Sequence, residues 1–254
     1  GVRLWGVGSM PLVSEERLVE LLGRYAAGRT VVLTWLRLPT ALGHAVHAVC
    51  FLTTLSVLGA VFSQERRLDL FSFHPLCMSL GTLLFVAEGV VSYRNRFLLE
   101  ALADIMDGQR RSKNRAIHQT LQALGTAFIL LGLLLILANK VEVGHTIMPL
   151  SIHSMVGTVA VLLCLAQAAV GFQKMAALQA MPERRVHRYH GEAGLLVFDA
   201  LMLSVFLGML SFLYFSMLNF LVEMSVIVLW GSVHVLMRST KPPPGGGAAG
   251  GGAV

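Results

Sequence analysis

The residues in this chain best suited to chemistry are its histidines. There are nine in 254 residues, and four of them, His74, His118, His153 and His190, stand at the ends of long apolar stretches. A polar ring in hydrocarbon is costly without a partner, so a histidine placed there is a functional candidate. A neutral imidazole offers one nitrogen to a metal while the other takes a hydrogen-bond partner. Two such rings facing each other from opposed helices of a bundle suit axial ligation of a haem iron. Zinc fits less well, because no cysteine or carboxylate completes a tetrahedral set beside either pair. A di-iron centre calls for several glutamates with Glu-x-x-His motifs on two helices, and no such array exists here.

The elements that must position these rings are transmembrane helices. The chain is 55% hydrophobic and 13% charged, with a mean hydropathy of +0.70, whereas a soluble domain carries about 25% charged residues. Runs of roughly 20 apolar residues predict six spans, near 40–62, 71–93, 116–138, 150–171, 190–211 and 217–237. The fold expected is all-α, a six-helix transmembrane bundle whose spans 2–5 form a four-helix core around the histidines. His74 and His153 open spans 2 and 4, which run in the same direction, so the two lie at one depth. His118 and His190 open spans 3 and 5, which run the other way, and share the opposite depth. Gly157 and Gly194 each follow a histidine by four residues, one turn on along the same face. They leave room either for a flat macrocycle or for close helix packing.

Residues 1–39 are expected as a cytoplasmic N-terminal segment, 40–237 as the membrane domain and 238–254 as a disordered tail rich in Gly and Pro. The first 39 residues mix Arg and Glu without an uninterrupted apolar core, unlike a cleaved signal peptide. Within them 14–25 reads as an amphipathic helix capped by Ser14. The net charge is +6, but the basic residues flank apolar runs, where they orient a membrane protein rather than bind nucleic acid. Of the 20 Lys and Arg residues, only Arg66, Arg67 and Lys140 fall on one side. The other 17 place both termini in the cytoplasm and the His118/His190 pair near that face. Cys50, Cys77 and Cys164 sit inside apolar segments at unrelated spacings and read as small buried residues.

The strings FSFHPLCMSL (71–80), VVSYR (90–94), IHQTLQALG (117–125), LSIHSMVGTV (150–159) and RYHGEAGLL (188–196) together resemble the eukaryotic cytochrome b561 family, nearest its short, domain-containing branch. The resemblance covers about 40–237. It implies two haems b, ligated between the second and fourth helices (His74, His153) and the third and fifth (His118, His190), the pairing that depth gives separately. It also implies electron transfer from cytoplasmic ascorbate to monodehydroascorbate or a ferric chelate across the bilayer. By the same analogy 148–152 lines the outer haem, and the protein forms a homodimer in an endomembrane or the plasma membrane.

Arg94 lies twenty residues after His74, about 30 Å along an ideal helix, and so emerges near the His118/His190 pair. With Arg111, Lys113, Arg115, Arg184 and Arg188 it is placed to neutralise haem propionates and attract an ascorbate anion, with Tyr93 and Tyr189 as donors beside them. On the other face, His145 is the candidate contact for an acceptor. Glu88 and Asp199 are expected to stay protonated and hydrogen-bond a neighbour, and His44 and His47 to touch a propionate or another helix. Two rival readings fit the composition: a haem-free proton- or ion-coupled transporter, and a quinol-linked haem anchor for a partner subunit.

Overall fold

The computed structural model describes residues 31–64, 69–92, 110–180, 187, 189–212 and 217–239. The chain falls into two units, Gly1–Pro39 and Thr40–Val254. Of the first, helical backbone is described from Val31 onward; the second carries every candidate span. The described residues form six helices long and apolar enough to cross a membrane, and no strand. They are α1 (Val31–Gln64), α2 (Leu70–Val91), α3 (Arg110–Glu142), α4 (Ile152–Ala180), α5 (His190–Phe212) and α6 (Met217–Ser239). An all-helical chain satisfies its backbone polar groups within each span, which hydrocarbon demands.

Several helices outrun the apolar stretches that predict them. The 33 residues of α3 extend about 50 Å, against a hydrocarbon core of about 30 Å. Its first turns, RRSKNR, and the end of α4, QKMAALQA, are rich in helix formers, so winding continues past the membrane edge. Lys174, a loop residue by hydropathy, is therefore a half-buried position within α4. The amphipathic segment 14–25, the tail from Lys241, and Tyr93, Arg94, Arg184 and Arg188 lie outside the described residues. Arg111 and Lys113 lie on the backbone of α3, with side chains outside the description.

α2 packs along α3, α4 along α5, and α5 beside α6, while α2 also touches α5 and α6. Lipid gives no hydrophobic drive to helix association, so close approach through small residues has to supply it. At the α2/α3 crossing a Cβ on Gly81 would meet the Gly125 carbonyl oxygen at 2.9 Å, and one on Gly125 would meet that of Gly81 at 3.0 Å. α1 docks through side chains: the Thr53 hydroxyl donates to the Ser225 carbonyl of α6 at 3.2 Å, and His47 pairs with Glu88 of α2. Leu83, Ile129, Phe198, Met202, Leu229 and Val233 are fully buried among the helices.

Two local features set the course of α2. Asp69 caps it: the carboxylate accepts from the Ser72 backbone N–H at 2.9 Å and from the Ser72 hydroxyl at 2.9 Å. These bonds hold the Asp69 carboxyl below its ordinary value by favouring the charged form. The stabilisation is therefore complete above the ordinary carboxylate range and fades as pH falls through the depressed value. Asp69→Ala should lower the melting temperature at neutral pH, and the gap to wild type should close in strong acid. The second feature is a π-helical stretch, Leu80–Val86, between α-helical Leu70–Ser79 and Ala87–Val91. Such π-turns accommodate an extra residue within an α-helix.

Candidate functional site

The four histidines come together in two couples. The ring centres of His74 and His153 are 6.4 Å apart with planes inclined at 72°. Those of His118 and His190 are 6.3 Å apart at 85°. An imidazole nitrogen binds a first-row metal at roughly 2.0 Å and lies about 1.1 Å from its ring centre, so two rings gripping one metal stand about 6.2 Å apart. Both couples have that separation. The helices sharing a couple are not the ones whose backbones pack side by side: α2 lies along α3 and α4 along α5, whereas the rings meet between α2 and α4 and between α3 and α5.

Each ring is held from behind. His74 Nδ1 donates to the Gly132 carbonyl at 2.9 Å, His118 Nδ1 to that of Gly89 at 2.7 Å, and His153 Nδ1 to that of Ser204 at 2.9 Å. A proton committed to Nδ1 leaves the Nε2 lone pair for a metal, the arrangement in which an outer hydrogen bond fixes the tautomer. The fourth ring differs. His190 Nδ1 lies 3.0 Å from the side-chain amide nitrogen of Gln167, and that nitrogen donates to the His190 carbonyl at 2.6 Å.

The anchors follow a common measure. On α3, α4 and α5 each histidine lies fourteen residues before the residue that holds the neighbouring helix's ring: His118 and Gly132, His153 and Gln167, His190 and Ser204. On α2 the interval from His74 to Gly89 is fifteen. Fifteen uniformly α-helical residues would turn Gly89 about 100° further round than fourteen. The π-turn of α2 takes up the extra residue and keeps the Gly89 carbonyl facing His118. Fourteen residues of helix separate the two couples by about 21 Å along the bundle, inside a hydrocarbon layer of about 30 Å.

Of the two roles open to Gly157 and Gly194, the structure shows helix contacts. A Cβ on Gly157 would meet the Ser204 hydroxyl at 3.0 Å, and one on Gly194 the Gln167 amide at 3.0 Å. They make room for the two residues that hold His153 and His190. One turn beyond each holder sits a further glycine against the ring: a Cβ on Gly208 would lie 2.8 Å from His153 Cε1, and one on Gly171 3.4 Å from His190 Cε1. Among the described residues no group of three or more His, Cys, Asp or Glu side chains is gathered for a metal. The donor set is thus bis-imidazole, which fits a haem whose macrocycle supplies the remaining ligands.

At the His118/His190 end, Arg115 lines a cavity of about 200 Å³ with Gln119, Met175 and Gln179. The Lys174 ammonium donates to the His187 carbonyl at 3.4 Å. Tyr189 is exposed, with its hydroxyl 3.1 Å from His187 Nδ1; His187, with φ of 47°, is a neighbour that hydropathy alone does not single out. At the other end, His145 is exposed and its backbone N–H donates to the Lys140 carbonyl at 2.8 Å. With Gly144 at φ 76°, this closes α3 in a Schellman cap. The two acidic residues expected to bond a neighbour do so: Glu88 pairs with His47, and Asp199 Oδ1 accepts from Trp230 Nε1 at 2.7 Å and from His234 Nε2 at 2.6 Å. His44 also has an interaction partner.

The family model for eukaryotic cytochrome b561 matches residues 73–216, more than half of the chain and all four paired histidines. The chain belongs to the eukaryotic cytochrome b561 family, and with its six apolar helices it is a haem-binding electron-transport oxidoreductase of membranes. Among curated proteins, none matches this chain.

Proposed function

We propose that this protein carries electrons singly across the bilayer, from cytoplasmic ascorbate at the His118/His190 end to monodehydroascorbate or a ferric chelate at the His74/His153 end. The observation that carries the reading is the pair of imidazole couples, each at the separation of two ligands on one metal. Haem b bound in each couple would supply a one-electron centre there. His74 with His153 and His118 with His190 would hold the iron, and the hydrogen bonds at their Nδ1 atoms would keep the rings aimed. Arg115 and Lys174, together with Arg94, Arg111, Lys113, Arg184 and Arg188, draw the ascorbate anion to the cytoplasmic mouth. The Tyr189 hydroxyl beside His187 is placed to hydrogen-bond the anion, and the imidazole to take the proton that ascorbate releases with its electron. The excess of basic residues on one side supports cytoplasmic termini.

Spectroscopy of the purified protein tests the proposal. Anaerobic ascorbate should produce a bis-histidine haem b difference spectrum that ferricyanide or a ferric chelate reverses, with two haems per chain. A protein without haem absorbance would favour the transporter reading. Reduction by a quinol but not by ascorbate would favour the membrane anchor.

A further inference from the structure

Three of the four paired rings are held by main-chain carbonyls, the Gly132, Gly89 and Ser204 oxygens. A backbone acceptor is the same whatever side chain occupies the position, so the strength of these three bonds is largely fixed by the fold. The Gln167 amide, half-buried between α4 and α5, is the exception. Its nitrogen is already directed at the His190 carbonyl, and an amide nitrogen is a donor rather than an acceptor. His190 Nδ1 therefore lacks the carbonyl acceptor that His74, His118 and His153 each have. An imidazole whose Nδ1–H is bonded to a strong acceptor is a more basic ligand and favours the oxidised metal; one without such a partner favours the reduced metal.

We propose that Gln167 is a positioning residue that sets the redox potential of the His118/His190 site independently of the other site. It orients His190 through the main-chain carbonyl of that residue while presenting a donor, not an acceptor, to Nδ1. The inference rests on the two-site reading above. Gly194 gives it support, since it clears the space the amide occupies beside the ring: a Cβ there would stand 3.0 Å from the Gln167 nitrogen.

The test is a spectroelectrochemical titration of the purified holoprotein with haem content measured alongside. In Gln167→Glu a carboxylate faces His190 Nδ1–H and strengthens the ligand. One of the two midpoints should fall by at least a tenfold change in the oxidation equilibrium, about 59 mV for one electron, while the other stays at its wild-type value. Gln167→Met, close in volume and without an amide, should release the ring, so that the ferric electron paramagnetic resonance signal of one centre shifts and that of the other does not. Should Gln167→Glu fail to assemble, Gln167→Met decides alone. Unchanged midpoints and signals in a variant that retains both haems would overturn the role of Gln167, as would equal movement of both centres. A wild-type protein with fewer than two haems would instead overturn the two-site reading.

Discussion

Replacing His118 or His153 by alanine should halve the haem-to-protein ratio, and double variants should reveal which histidines act together. His118→Ala combined with His190→Ala should lose no more haem than either single change, because both remove ligands of one iron. His118→Ala combined with His153→Ala should leave almost none, because it breaks both couples. Residues that work as a unit are non-additive and residues of separate units add, so the four ratios amount to a map of the pairing. Circular dichroism should show retained helix in the single variants, since each ring is half-buried rather than part of the fully buried core. Ratios that pair His118 with His153, or unchanged haem in both single variants, would contradict the ring geometry of 6.3 and 6.4 Å.

The part of this arrangement that is legible in the sequence is the part written in side chains. Long apolar runs define six spans, and histidines at alternating ends of four successive spans imply two depths, so which rings can meet follows from topology. What holds the rings is a different matter. The acceptors for His74, His118 and His153 are carbonyls, a group that every residue carries and that therefore leaves no mark on composition. Gln167 did leave a mark, as a lone amide within the apolar run LLCLAQAAV, fourteen residues from His153. His234, which meets Asp199, was visible in the same way as a polar residue in a span. The π-turn of α2 has no signature of its own, since LGTLLFV winds equally well as α-helix by propensity. Its presence becomes intelligible only when the Gly89 carbonyl has to reach His118. Helix ends beyond the hydrocarbon leave no hydropathy signal for a related reason: hydropathy measures the membrane, whereas winding continues for as long as propensity allows.

Gly208 should prove nearly as indispensable to the His74/His153 couple as a ligand, although it offers no atom to a metal. A Cβ there would stand 2.8 Å from His153 Cε1 and 3.1 Å from Nδ1, distances at which something must move. The ring cannot swing aside freely, because the Ser204 carbonyl one turn earlier on the same helix holds its Nδ1 at 2.9 Å. Moving His153 would break that bond or draw its ring away from His74. Overpacking of this kind costs about 1–3 kcal/mol, which corresponds to roughly a 5- to 150-fold loss of affinity at one site. Gly208→Val should therefore bring the haem ratio towards one half by weakening the site that contains His153. Gly208→Ala should show the same defect more mildly, as faster loss of haem to an apoprotein trap. The matching position on α4 supplies the contrast: at Gly171 a Cβ would lie 3.4 Å from His190 Cε1, an ordinary contact, so Gly171→Ala should keep both haems. Gly231→Ala, where nothing stands within 4 Å, should keep both and gain slightly in helix stability. A ring that is gripped from behind can be displaced from the side only at the cost of its grip, so wild-type affinity at both sites in Gly208→Val would mean that His153 does not hold this position in the loaded protein.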